Sequence, residues 1–304
     1  MTSFKLVASL VLTATAATLS AETRCPGNAA SLPLRTVNQH QMIVPVSINH
    51  AGPYRFLLDT GTQMTMLDPR LAATLQLSRS GTANVASPGV STSASFAQVE
   101  LIEAGSRSAA NQKVLVYDLK NLQAGGLDIQ GVLGEDFLEQ FDMLIDNAHS
   151  TLCLNDAGTM QAFVKGQHLA LVAPATSGGP DTLAHALIVT ARLTDGIRPV
   201  RLELDSGADV SFLYNTNNYM GLPPFHSVAS SWGGGARGAQ RTLTTLPEQE
   251  VRIGSVGIGR VTFMTLTGAQ KDSGTSAFDG LLAMGLFRRV MIDHADNFAV
   301  LEPW

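Results

Sequence analysis

Apolar residues in this chain recur in short alternating runs, and the same succession of runs occurs twice. Met42-Ile43-Val44-Pro45-Val46-Ser47-Ile48 alternates and ends in the turn-like Asn49-His50-Ala51-Gly52-Pro53. The run Arg55-Phe56-Leu57-Leu58 follows and leads into Asp59-Thr60-Gly61. In the second half, Ala186 to Leu193 alternates and ends in Thr194-Asp195-Gly196, and Arg201-Leu202-Glu203-Leu204 leads into Asp205-Ser206-Gly207. Each set predicts a strand, a turn and a second strand that delivers an aspartate. Downstream lie Gly131-Val132-Leu133-Gly134 and Gly280-Leu281-Leu282-Ala283, at Asp-to-Gly offsets of 131 − 59 = 72 and 280 − 205 = 75. Leu144-Ile145-Asp146 and Met291-Ile292-Asp293 follow in turn, and their aspartates read as turn residues kept with the repeat. Two motif pairs at nearly equal offsets indicate an internal duplication.

Helical signal is sparse. Asp68-Pro69-Arg70-Leu71-Ala72-Ala73-Thr74-Leu75 predicts one short helix, with Asp68 at the N-cap and Pro69 at the first helical position. The fold class expected is mainly β, in two similar lobes: residues 33–160 and 161–304, with Gly178-Gly179-Pro180 as the linker candidate.

Composition adds a compartment. Lys5, the apolar or small run Leu6 to Leu19, and Ser20-Ala21 predict a signal peptide over 1–21. The run is shorter than the ~20 residues of a spanning helix. The mature protein is therefore expected to be exported, periplasmic or secreted, and free of the membrane once the signal is removed. In an oxidising compartment Cys25 and Cys153 either form one bridge or remain two thiols, and both readings stay open. The formal net charge of −5, and no basic run longer than Arg288-Arg289, exclude the footprint of a nucleic-acid binder. The 7 histidines form no metal-binding spacing. No metal or cofactor is expected.

The chemistry lies in the paired turns. Glycine after Asp and a hydroxyl residue lets the backbone turn tightly and lets a second copy approach closely. The hydroxyls of Thr60 and Ser206 can tie the loops by hydrogen bonds. Two such turns meeting face to face would put two carboxyls close enough to share one proton. A third copy, Asp272-Ser273-Gly274, follows the polar Gln270-Lys271 and lacks the strand before it.

With its two Asp-Thr/Ser-Gly turns and Val132-Leu133-Gly134, the chain resembles the retropepsin-like and pepsin-like aspartic proteases, in particular exported bacterial forms carrying two lobes in one chain. The resemblance implies two retropepsin-like β-barrel lobes around a cleft, with Asp59 and Asp205 catalytic. It implies peptide-bond hydrolysis by a water activated between them, on a peptide or unfolded protein substrate, by a monomer. It assigns Thr60, Gly61, Thr62, Ser206, Gly207, Val132, Leu133 and Gly134 to loop support. It places flaps between Ser78 and Phe96 and around Trp232, Gly233 and Gly234, where Trp232 packs either on substrate or on the protein. Ala283 departs from the pattern: its methyl displaces the Asp205 loop, or a shifted register uses Gly285. That departure favours the rival reading, a catalytically inactive peptide-binding scaffold. Thr62 offers Asp59 a hydroxyl where Ala208 offers Asp205 none, which points to Asp205 as the proton carrier.

Overall fold

The computed structural model describes residues 25–87, 90–156, 158–160, 164–172, 186–214, 231–232, 241–266 and 278–304. The expected signal peptide, the linker candidate at 178–180, and the flap residues Gly233 and Gly234 lie outside the described residues. Trp232 is described within the short strand Ser231–Trp232.

The fold is mainly β, a retropepsin-like arrangement of two lobes. An 8-stranded sheet curls through the first half and a 9-stranded sheet through the second. A 6-stranded sheet draws on both. At its centre Phe141–Asp146 runs antiparallel to Phe287–Asp293, pairing Met143 with Ile292, Leu144 with Met291 and Ile145 with Val290. The first and third pairs are images of each other under the repeat, so a local twofold passes through the Leu144–Met291 pair.

Alternation explains the lobes. Val44, Val46 and Ile48 from Gln41–Ile48 are buried with Phe56 and Leu58 from the neighbouring Ala51–Leu58. Each such side chain contributes about 2–3 kcal/mol on burial. The expected helix is Pro69–Thr74, and the Asp68 carboxylate accepts from the Arg70 amide at 2.8 Å. Two further short helices, Lys120–Ala124 and Glu135–Leu138, carry no clear periodic signal.

Corresponding rows cross the two lobe sheets. In the first lobe Ile43, Leu57, Val132, Met66 and Leu115 are successive cross-strand partners. In the second the row is Ile188, Glu203, Leu281, Phe212 and Met264. The pairing pattern, including one parallel step beside each aspartate strand, is the same in both. The two halves thus correspond in register as well as in motif.

Cys25 and Cys153 form a disulfide across 128 residues of chain. It anchors the start of the described chain to Thr151–Asp156, beside the joining sheet's strand Ala30–Pro33. Closing so long a loop restricts the unfolded chain strongly. Replacing both cysteines by serine is expected to lower stability by about 2–5 kcal/mol. The check is the urea midpoint, with the far-ultraviolet circular dichroism of the folded state unchanged.

Candidate active site

Asp59 and Asp205 stand at the ends of the two corresponding strands, and the loops after them interlock. The Thr60 hydroxyl donates to the Leu204 carbonyl at 2.8 Å and accepts from the Ser206 amide at 3.1 Å. Reciprocally, the Ser206 hydroxyl donates to the Leu58 carbonyl at 2.9 Å and accepts from the Thr60 amide at 3.1 Å. Thr60 and Ser206 are fully buried. Each hydroxyl therefore satisfies one donor and one acceptor that no water reaches.

This interlock brings the carboxyls to the opposite glycines. A Cβ on Gly207 would lie 2.4 Å from Asp59 Cγ, and one on Gly61 would lie 2.9 Å from Asp205 Cγ. No other residue type fits either place. The Asp59 and Asp205 carboxyls are therefore close neighbours, each acting on the other's proton. Asp59 also accepts from the Gly61 amide at 3.0 Å and the Thr62 hydroxyl at 2.8 Å. Asp205 accepts from the amides of Gly207 at 2.8 Å and Ala208 at 3.0 Å.

Desolvation pushes both carboxyls up. For Asp205 the charge of Asp59 adds to it and the value reaches about 8. Desolvation also raises Asp59, but the Thr62 hydroxyl and the Gly61 amide oppose the rise. Like charges this close cannot both ionise readily, so the pair retains a proton that either carboxyl alone would lose.

Support beneath the loops is similar but not equal. Leu133 accepts from the Asp59 amide at 3.1 Å, and the Gly134 amide donates to the Thr65 hydroxyl at 3.2 Å. In the second lobe the Ala283 amide donates to the Ser211 hydroxyl at 3.1 Å. Ala283 sits opposite Asp205, as Gly134 follows Leu133, the partner of Leu58. There is no shift toward Gly285. In the first lobe Asp136 accepts from both the amide and the hydroxyl of Thr65, at 2.9 and 2.7 Å, drawing the loop tight. A Cβ on Gly134 would meet Met64 C at 2.7 Å. At the corresponding step the second lobe has Gly285, which has no carboxylate to draw Ser211 in. Ala283 is fully buried there. Val132 and Leu57 do not support the loop directly; they pack with Ile43, Leu119, Leu127 and Ile129.

Several contributors escape a reading of motifs. Thr65 and Ser211 each lie six residues after an aspartate, a repeat that comparison of the halves reveals. The Asp209 carboxylate accepts from the amides of Gln39 at 2.7 Å and His40 at 3.1 Å, locking a first-lobe turn to the second loop. Gln41 donates to the Gly207 carbonyl at 3.2 Å. Behind the dyad, His294 bonds the Phe141 carbonyl at 2.8 Å and Glu135 at 3.2 Å. Burial would lower the His294 pKa, but the Glu135 carboxylate more than offsets this and raises it. Its repeat counterpart, Asn147, reaches across the other way to the Phe287 carbonyl at 2.8 Å.

Glu203 is the outlier. It is 2% exposed, and its Oε1 atom has no hydrogen-bond partner. Desolvation, then the charges of Asp205 and Asp59, raise its pKa well above the glutamate range. In the sequence it lies two residues after Arg201, and no motif marks it.

Among known families, residues 44–137 match the model for aspartyl proteases. The matched segment contains Asp59 and Val132-Leu133-Gly134 and supports an aspartic-protease family for the chain. No curated protein matches the chain.

The Glu203 carboxyl has a consequence for stability. An acid raised by folding keeps its proton in the native state after the unfolded chain has lost it. Native stability is then complete below the ordinary value of 4.5 and declines as pH rises above it. Glu203→Leu, the residue type at Leu57, is expected to stabilise the protein at pH 7 by about 1–3 kcal/mol. The gain should shrink toward pH 4, as read from urea midpoints at the two pH values.

Proposed function

We propose that the chain is an aspartic endopeptidase that hydrolyses peptide bonds with a water activated between Asp59 and Asp205. The observation that carries this reading is the pair of neighbouring carboxyls held by the reciprocal Thr60 and Ser206 grip. Asp59 has the hydroxyl donor that favours its ionised form, and among the described residues the donors to Asp205 are amides. Asp59 therefore acts as the base and Asp205 as the proton carrier.

Asp59 takes a proton from the water as its oxygen adds to the scissile carbonyl carbon. Asp205 gives its proton to the carbonyl oxygen, and a gem-diol forms. In breakdown a diol hydroxyl returns its proton to Asp205, Asp59 protonates the leaving nitrogen, and the carbon–nitrogen bond breaks. The dyad ends in the state in which it began, with no covalent intermediate. An extended peptide would bind by backbone hydrogen bonds along the cleft between lobes 33–160 and 161–304.

One chain supplies both aspartates, which favours a monomer. The Cys25–Cys153 bridge favours an exported protein in the periplasm or outside the cell. The scaffold reading drew its support from Ala283. That support weakens, because Ala283 keeps register with Asp205 and its loop bond to Ser211.

The test is cleavage of an unfolded protein. Asp59→Asn and Asp205→Asn should each lower kcat/KM by about a thousandfold or more while remaining folded. Full activity in either variant would overturn the proposal. The pH profile gives a second check. For the wild type, kcat/KM should fall as pH rises through about 8, where Asp205 loses its proton. Thr62→Ala removes a donor to ionised Asp59 and so raises the pKa of that carboxyl. The acid limb of the profile should move to higher pH, and the alkaline limb should move less.

A further inference from the structure

The two lobes carry the same cross-strand row of side chains, but with different chemistry. In the first lobe the row is closed and apolar: Ile43, Leu57, Val132 and Leu115 are buried, and only Met66 is half-exposed. In the second lobe Glu203 replaces the counterpart of Leu57, and Leu281, Phe212 and Met264 are all half-exposed. Glu203 is paired with Leu281, and Leu281 with Phe212, so their side chains share one face of the sheet. Glu203 also shares a face with Asp205, two residues on, and the dyad carboxyls are the charges that bear on it most.

The row is thus an apolar trough, partly open to solvent, that ends in a carboxyl beside the catalytic pair. Among the described residues that carboxyl has no cation to pair with, and its Oε1 atom has no hydrogen bond. A buried acid without a partner costs stability, and the first lobe shows that leucine suits the same position. A ligand that supplied an aliphatic stem for Leu281 and Phe212, and a cationic head for Glu203, would satisfy every feature of the trough. Lysine and arginine have that shape.

We propose that Glu203 is a specificity-determining residue that selects a lysine or arginine side chain at one of the two substrate positions flanking the scissile bond. This rests on the reading of the dyad as a peptidase site. Binding the cation makes Glu203 give up its proton, so the selection strengthens as pH rises from about 4 to 7.

The test compares wild type with Glu203→Leu on matched peptides that carry lysine or norleucine at each flanking position. Wild type should cleave the better lysine peptide with a kcat/KM about tenfold above its norleucine twin. Glu203→Leu should cleave the norleucine peptide at least as well as wild type and lose the lysine preference. Cleavage by both proteins with one and the same residue profile would overturn the proposal and leave the peptidase reading intact. Calorimetric binding of the same peptides to Asp59→Asn separates the two ideas. Lysine-dependent binding that disappears in the Asp59→Asn, Glu203→Leu double variant supports the subsite even if no peptide is cleaved. Equal binding of lysine and norleucine peptides by Asp59→Asn counts against it.

Discussion

The structure depends on two carboxyls being held closer than their charges favour. What holds them is not an attraction between the groups but a backbone lock: two buried hydroxyls, each bonded to both a carbonyl and an amide of the other lobe. The glycines after them let the lock close, since each lies where a methyl would strike the opposite aspartate. The cost of the approach is carried as a retained proton. Asp205, desolvated and facing Asp59, holds it to about pH 8.

Much of the remaining architecture keeps that lock in place. The joining sheet pairs Phe141–Asp146 with Phe287–Asp293 directly behind the loops. His294 and Asn147 cross the same boundary in opposite directions. The lobes are nevertheless not equal. Asp136 tightens the first loop, and Gly285 offers no such group to the second, which is why alanine is tolerated at 283 and excluded at 134. Glu203 in place of a leucine is the second asymmetry. Both changes fall in the lobe that carries Asp205, the carboxyl with the higher pKa.

A good part of this was legible in the sequence. Period-two alternation and the near-equal offsets located both aspartate strands and the downstream motifs that pair with them, because the alternation of buried side chains is written in the pattern. Asp68 and Pro69 marked a helix start for a local reason, which sequence carries well. The disulfide was undecided, since pairing depends on where Thr151–Asp156 lies in space. Ala283 was ambiguous because the room for a methyl at this step is set by loop backbone that no motif describes, as Met64 and Thr65 set it around Gly134 in the first lobe. The joining sheet was not foreseen at all: its strands are brought together by tertiary packing over more than a hundred residues. Glu203 went unremarked in the sequence, because its meaning required the row it shares with Leu281 and Phe212.

The central claim is that the chain folds so that Asp59 and Asp205 act as one coupled acid. Carboxyl-carbon nuclear magnetic resonance of protein with labelled aspartate, titrated in wild type and Asp59→Asn, tests it without relying on turnover. The account predicts one aspartate carboxyl titrating near pH 8 in wild type, and its return toward the ordinary value of 3.8 when the charge of Asp59 is removed. Two independent titrations near 3.8 in wild type, unchanged by the substitution, would contradict it.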